Sequence, residues 1–120
     1  MANTYRAYAY CRTPEELKTL SERTGVPISD KCLRLSGCRG DVEPRRLLHE
    51  TGDLSEELGI DVLFAIHDCG GDWWLYETCK GVVKNHHTGN DYHLYFDHTL
   101  ESTYQKTLKE HYADWLSVFS

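Results

Sequence analysis

The sequence contains no long hydrophobic run, which excludes a transmembrane helix because such a helix needs about 18 consecutive apolar residues. Its first four residues, Met-Ala-Asn-Thr, lack the basic and apolar stretches of a signal peptide, so we expect no secretory leader. An apolar fraction of 40% and a charged fraction of 27% exclude a disordered or collagen-like chain. Because 120 residues supply material for one hydrophobic core, we predict a single domain over residues 1–120.

Cysteine is present in an odd number, which argues against a framework of disulfide bonds. The chain has five cysteines, namely Cys11, Cys32, Cys38, Cys69 and Cys79. Together with the absence of a leader, this number predicts reduced thiols that pack as small hydrophobic side chains. We therefore expect a cytoplasmic protein.

Arginine is absent after Arg46, and histidine is absent before His49. When the chain is divided after Leu48, the first part has nine basic and six acidic residues, a net charge of +3. The second part has four lysines and thirteen acidic residues, a net charge of −9, with all seven histidines and eleven of the fourteen aromatic residues. Such asymmetry bears on binding partners and not on the fold. Either the two parts neutralise each other where they meet, or an acidic, aromatic-rich surface is free for a basic partner.

The clearest local signals lie in the first quarter of the chain. Residues 5–11 are rich in aromatic residues and predict a strand. Thr13 and Glu16 have the spacing of a capping box, and Gly25 suits the left-handed residue that ends a helix, so we predict a helix over residues 14–24.

Further along, period-two alternation and turn residues predict several shorter elements. These are a strand at 31–36, a loop at 37–41, short helices at 44–49 and 54–58, a central strand at 62–66, a strand at 73–80 that could continue to 84 with a bulge at Gly81, a turn at 85–90, a strand at 92–97, and a long amphipathic helix from Leu100 to Phe119. This order predicts an α+β fold: a two-layer domain whose mostly antiparallel sheet of four to five strands has its helices on one face. Ferredoxin-like wiring is one possibility that the spacing allows.

No motif in the chain is specific enough to name a reaction. Cys69 lies close to Asp68 and Asp72, whose negative charge disfavours the thiolate that a catalytic cysteine requires. The histidines and cysteines lack the short spacings of a metal site, and the pair Gly70-Gly71 lacks the lysine and further glycines of a phosphate-binding loop. We therefore predict no catalytic residue, no metal and no cofactor.

Nucleic-acid binding is not favoured either. A nucleic-acid binder gains affinity by neutralising phosphates, and only Arg34, Arg39, Arg45 and Arg46 could form a basic patch in an otherwise acidic chain. Mimicry of a phosphate backbone by the acidic part is weakened by the interspersed lysines and histidines.

The aromatic residues after His67 are the best functional signal. Trp73 and Trp74 are neighbours on a predicted strand, so their side chains point to opposite faces of the sheet and one of them lies at or near an open face. Trp and Tyr are frequent in interface hot spots, and nearby carboxylates would attract a basic partner. The predicted binding residues are Asp68, Asp72, Trp73, Trp74, Tyr76, Glu77 and Tyr95.

These features favour a small acidic protein that binds a larger, basic macromolecule and inhibits it by occlusion, as immunity proteins, antitoxins and phage inhibitors of bacterial defence do. One alternative is a small enzyme or ligand-binding domain with His67, Asp68, Glu77 or His93 on the open face of the sheet. Another is a homo-oligomeric structural protein whose open face is covered by its own copy. If all seven histidines titrate near pH 6.5, binding to a basic partner should weaken between about pH 7.5 and 5.5.

Overall fold

One six-stranded sheet organises the fold. The computed structural model describes residues 3–117, with side chains described as far as Trp115. Its elements in chain order are β1 (Thr4–Cys11), α1 (Pro14–Thr24), β2 (Ile28–Ser29), β3 (Cys32–Arg39), α2 (Val42–Leu58), β4 (Asp61–Asp68), β5 (Asp72–Cys79), β6 (Val82–Asn90), a 3-10 helix (Tyr92–Tyr95), α3 (Thr103–His111) and α4 (Ala113–Ser117).

All neighbouring strands are antiparallel, in the order β2-β3-β1-β4-β5-β6. β1 lies between β3 and β4, so β3 and β4 run parallel to each other, and α2 joins them. In the same way, β3 lies between β1 and β2, and α1 joins these two strands. These two interlocked split β–α–β units form the ferredoxin-like wiring, and β5 and β6 extend the sheet beyond it. The predicted two-layer α+β fold with an antiparallel sheet is confirmed, with six strands in place of four or five.

Local capping defines α1 as the sequence predicts. The Glu16 N–H donates to Thr13 Oγ1 (3.2 Å), and the Thr13 N–H donates back to the Glu16 carboxylate (3.1 Å). Gly25 ends the helix in the left-handed conformation (φ 75°), which glycine adopts without steric cost. Leu17 and Leu20 then bury the inner face of the helix against the sheet.

Two hydrophobic clusters lie on opposite faces of the sheet because β1 and β4 alternate their side chains between them. The first cluster lies under α1 and α2, which form the predicted helical layer; it includes Ala7, Ala9, Cys11, Leu17, Leu20, Leu33, Leu47, Leu54, Val62, Phe64 and Ile66. The second lies under α3 and α4, so the C-terminal helices occupy the other face, contrary to the expectation that the helices pack on one face only. It comprises Leu63, Ala65, Trp73, Leu75, Tyr104, Leu108, Tyr112 and Trp115.

The two short helices predicted at 44–49 and 54–58 are wrong, because α2 is a single helix of 17 residues that passes through Gly52. A glycine inside a helix costs about 1 kcal/mol relative to alanine. Here Leu47 and Leu54, one on each side of the glycine, are buried against the sheet, and this burial outweighs the cost.

The predicted turn at 85–90 is also wrong, because these residues belong to β6. The chain reverses earlier, at Lys80 (φ 51°) and Gly81 (φ 83°), two consecutive left-handed residues of the kind found in tight hairpin turns. Gly81 is therefore a turn residue and not a bulge. β6 is the edge strand of the sheet and mostly exposed, which is why its polar sequence resembles a loop.

Residues 92–97 are not a strand, contrary to the prediction, because a 3-10 helix spans Tyr92–Tyr95. The long C-terminal helix is likewise divided at Tyr112 into α3 and α4, and α3 begins at Thr103 with Ser102 as its cap. The loop predicted at 37–41 is shorter, since β3 extends to Arg39 with an irregularity opposite Tyr5–Ala7. Phe119 lies outside the described residues.

Candidate functional site

The predicted binding residues are divided between the two faces of the sheet. Trp73 belongs to the cluster under α3 and is 2% exposed, and its indole N–H donates to Thr103 Oγ1 (2.9 Å). Trp74 and Tyr76 are half-buried on the opposite face, where they line a cavity of about 380 Å³ beside α2. Tyr76 also stacks on His86, with ring centroids 4.5 Å apart. The structure thus brings Trp74 and Tyr76 together and separates them from Trp73.

The three predicted acidic residues, Asp68, Asp72 and Glu77, each accept hydrogen bonds within the sheet or its turns. Asp68 is 8% exposed, and its Oδ1 accepts hydrogen bonds from the Gly70 and Asp72 N–H groups (2.9 Å each). The Asp72 carboxylate accepts one from the Asn90 side chain (2.7 Å), and the Glu77 carboxylate accepts one from the Asn85 side chain (2.6 Å). Asp68 therefore shapes the β4–β5 turn, while Asp72 and Glu77 tie β5 to β6.

Tyr95 belongs to a surface that the sequence-based prediction missed. Four side chains of the segment after β6 are largely exposed: Tyr92 (50%), Tyr95 (63%), Phe96 (77%) and Leu100 (50%). We call these four residues the aromatic cap. The ring centroid of Tyr92 lies 5.4 Å from that of Tyr95 and 5.2 Å from that of Phe96, so the rings form one continuous surface. Positions 92, 95 and 96 have helical spacing, which was the available signal.

Hydrogen bonds hold the aromatic cap against the sheet. The Tyr95 hydroxyl donates to the Cys69 carbonyl in the β4–β5 turn (2.8 Å), and the Tyr92 N–H donates to Asn90 Oδ1 (2.7 Å). Gly71 allows the close approach, since a Cβ there would lie 2.6 Å from the Tyr92 nitrogen. The cap is therefore a positioned surface although its side chains face solvent.

The sequence segment that carries the aromatic cap is acidic. No lysine or arginine occurs between Lys84 and Lys106 in the sequence. Hydrogen bonds from Thr99 lower the pKa of Asp97, and the carboxylate of Glu101 lies a few residues further along. This segment therefore presents apolar rings together with acidic side chains.

A second feature, a cavity of about 440 Å³, lies between the sheet and α3. We call it the tyrosine pocket. The strands β1 and β4 form its floor, α3 forms a wall, and the 3-10 helix forms its rim; its lining includes Arg6, Tyr8, Tyr10, His67, Asp68, Asp91, Leu94, Tyr95, Tyr104 and Gln105. Tyr95 is thus shared between the cap and the pocket.

Two titratable groups in the lining of the tyrosine pocket, His67 and Tyr104, are neutral near pH 7. Burial and the nearby charge of Arg6 lower the pKa of His67 to about 4. Burial, with Tyr10 nearby, raises the pKa of Tyr104 well above its ordinary value. The His67 ring lies edge-on between two tyrosines, with its centroid 4.2 Å from that of Tyr104 and 5.6 Å from that of Tyr8.

The remaining thiols and histidines are positioned by packing. All five cysteines are free, and burial, with Glu16 nearby, raises the pKa of Cys11 to about 12. His86 and His87 are adjacent on β6 and make different contacts: His86 stacks on Tyr76, whereas His87 Nε2 is 3.1 Å from the Tyr112 hydroxyl. In the described part of the chain, no three His, Cys, Asp or Glu side chains are grouped so that they could hold a metal ion.

No protein-family model, curated protein or solved structure matches this chain. Within residues 3–117, no helix has the length and apolar content that crossing a membrane requires. The aromatic cap and the tyrosine pocket are therefore the basis for a functional assignment.

Proposed function

We propose that the protein binds a larger, basic protein through the aromatic cap and inhibits it by covering part of its surface. The observation that carries this proposal is the exposure of three neighbouring aromatic rings, of which Phe96 is 77% exposed. Contiguous exposed apolar surface is uncommon on monomeric proteins and marks interaction sites. Aromatic residues at the centre of an interface also contribute much of its binding energy.

The fixed geometry of the cap supports a binding role. Association loses free energy when side chains and loops must become ordered at the interface. The hydrogen bonds from Tyr95 to Cys69 and from Tyr92 to Asn90 already hold the backbone and one ring in place. Partner binding therefore requires little ordering of the cap, which favours affinity.

The acidic residues near the cap favour a partner with a positively charged surface. Asp97 and Glu101 flank the exposed rings, and the segment between Lys84 and Lys106 has no basic side chain other than histidine. Complementary charge accelerates association and disfavours partners of like charge. A basic protein surface is therefore the occupant that fits. The free thiols of all five cysteines support the cytoplasm as the compartment in this proposal.

A pair of matched variants tests this function. The immobilised protein is incubated with a lysate of the organism that encodes it, and the captured protein is identified, purified and titrated by biolayer interferometry. We expect a basic partner whose affinity falls about 30-fold, roughly 2 kcal/mol, in Phe96→Ser and is unchanged in Val42→Ser. Val42 is 71% exposed and lies at the start of α2, so it controls for loss of an exposed apolar side chain.

Several outcomes would contradict the proposal. Equal binding by Phe96→Ser and wild type would place the interface elsewhere, and an acidic partner would refute the charge argument. Self-association of the wild type, abolished in Phe96→Ser and measured by analytical ultracentrifugation, would instead assign the cap to a second copy of the chain.

The pH dependence of partner binding follows from the histidines near the cap. His93 and His98 lie in the same segment of the sequence as Asp97 and Glu101, and added positive charge in this segment would weaken attraction to a basic partner. The premise that all seven histidines titrate near pH 6.5 is wrong, because the pKa of His67 is about 4. We still expect affinity for a basic partner to weaken between about pH 7.5 and 5.5, and a titration series of that complex measures it.

A further inference from the structure

The tyrosine pocket contains polar groups that the proposed protein interface does not use. Among the described residues, the buried His67 Nε2 has no hydrogen-bond partner, and the buried Tyr104 hydroxyl has only the neighbouring Tyr10 hydroxyl to interact with. The whole Tyr104 residue is 6% exposed. Buried polar groups in proteins are nearly always paired with protein or water, and those left over call for an explanation. Both residues line the pocket, so a molecule inside it could supply the missing partners.

Aromatic side chains determine the shape of molecule that fits. Tyr8, Tyr10, Tyr95 and Tyr104 line the pocket together with Leu94. Aromatic rings favour offset or edge-on contacts with other rings, and pockets for small molecules combine such surfaces with a few polar groups. A volume of about 440 Å³ is in the range of small-ligand sites and accommodates a molecule of one or two rings.

One guanidinium in the pocket can pair with an anion, beside the two carboxylates of Asp68 and Asp91. Arg6 lines the pocket, is exposed, and forms no ion pair within the described part of the chain. The two lining carboxylates are already engaged. Asp68 accepts hydrogen bonds from the β4–β5 turn, and Asp91 accepts four from Ser102, Thr103 and Tyr104 at the start of α3. The Arg6 guanidinium is therefore the charged group with open hydrogen-bonding capacity.

We propose that the tyrosine pocket binds a small aromatic carboxylate whose ring lies among the tyrosines, whose carboxylate pairs with Arg6, and whose polar ring substituent bonds to His67 and Tyr104. A neutral imidazole can donate or accept a hydrogen bond, and a phenol can do both, so a ring hydroxyl satisfies either group. The site shares Tyr95 with the aromatic cap but not Phe96, so Phe96→Ser alters the cap without changing a residue of the pocket lining.

Isothermal titration calorimetry with 4-hydroxybenzoate tests the site on the full chain. We expect saturable 1:1 binding that is at least 10-fold tighter than that of 4-hydroxybenzamide, which lacks the charge, or of benzoate, which lacks the hydroxyl. Phenyl phosphate is titrated for comparison. If it binds more tightly than 4-hydroxybenzoate, the proposal that the ligand is a carboxylate is overturned. Amide chemical shifts should change at Tyr8, His67 and Tyr104, which locates the ligand.

Two variants remove one contact each without removing a ring. Arg6→Gln and Tyr104→Phe should each weaken binding of 4-hydroxybenzoate at least 10-fold, while Arg45→Gln, on the opposite face of the sheet, should bind as the wild type does. Tyr104→Phe should also remain folded, as judged by its thermal unfolding, because the buried ring and its packing are kept.

The proposal is overturned if the folded wild type binds none of these probes, or if both variants bind as tightly as the wild type. Phe96→Ser should retain ligand affinity, so failure of the protein interface and failure of the pocket are distinguishable.

Discussion

The two faces of the sheet are built from different kinds of side chain. Under α1 and α2 the buried residues are mainly aliphatic, with Phe64 and Leu33 at the centre. Under α3 and α4 the core contains Trp73, Tyr104 and Trp115, and His67 lies next to it. The first face has a mainly aliphatic core, whereas the core of the second combines tryptophan and tyrosine with a largely buried histidine at its edge. The difference places the buried tryptophan and tyrosine rings on one face and most of the aliphatic packing on the other.

The largest effect should come from truncating the core under α1 and α2. Phe64 is 1% exposed, and Phe64→Ala should lower the free energy of unfolding by about 3–5 kcal/mol, since it removes buried apolar surface and leaves a cavity. Urea denaturation measures the change. Val82→Ala is the control, because Val82 is 63% exposed and its truncation should change stability by less than about 0.5 kcal/mol. A loss below about 1 kcal/mol would show that this face does not dominate stability.

The next effect concerns the face under α3 and depends on pH. His67 has a pKa of about 4 in the folded chain, against about 6.5 when unfolded, so the unfolded chain binds the additional proton between these values. Stability therefore falls as pH decreases from 6.5 to 4, by about 2 kcal/mol between pH 7 and 5. Urea midpoints at both pH values measure this loss, which should be smaller in His67→Gln. The same pH dependence in both proteins would contradict the burial of a neutral histidine.

Replacing either of two glycines by alanine should change the stability by a smaller amount, with opposite signs at the two positions. A Cβ at Gly89 would lie 2.4 Å from a ring carbon of Trp73, so Gly89→Ala should destabilise the second face by about 1–3 kcal/mol through overpacking. At Gly52, in α2, a Cβ meets nothing within 4 Å, and Gly52→Ala should stabilise the protein by about 0.5–1 kcal/mol. Thermal unfolding of both variants gives the signs. Equal shifts of the unfolding temperature in the two variants would contradict the tight packing of Gly89 against Trp73.

Local signals were sufficient to locate α1 and β4. The capping box at Thr13 and Glu16 located α1, and the apolar run 62–66 located the central strand β4. Both depend on short-range hydrogen bonding or on continuous burial, which a sequence shows directly. The prediction of two short helices in place of α2 was wrong because contacts with residues distant in sequence hold the single helix together.

The functional surfaces were harder to predict because they depend on how distant segments meet. The tyrosine pocket is lined by side chains from β1, β4 and α3. Alternation of apolar and polar residues along each strand does not show which strands and helices come together. β6 was missed since an exposed edge strand has polar residues at most positions. Among the predicted binding residues, only Tyr95 lies in the aromatic cap, where the rings at 92, 95 and 96 follow helical spacing.

The position of β1 inside the sheet has a consequence for folding kinetics. Tyr5 pairs with Asp68, so this contact joins two segments that lie far apart in the sequence. Pairing of segments so distant in sequence requires closure of a long loop, which slows folding relative to hairpin formation. The β4–β5–β6 hairpins can pair locally, whereas β1 reaches β4 only across the intervening α1, β3 and α2. We expect the pairing of β1 with β4, and not the formation of the hairpins, to set the time at which the sheet closes.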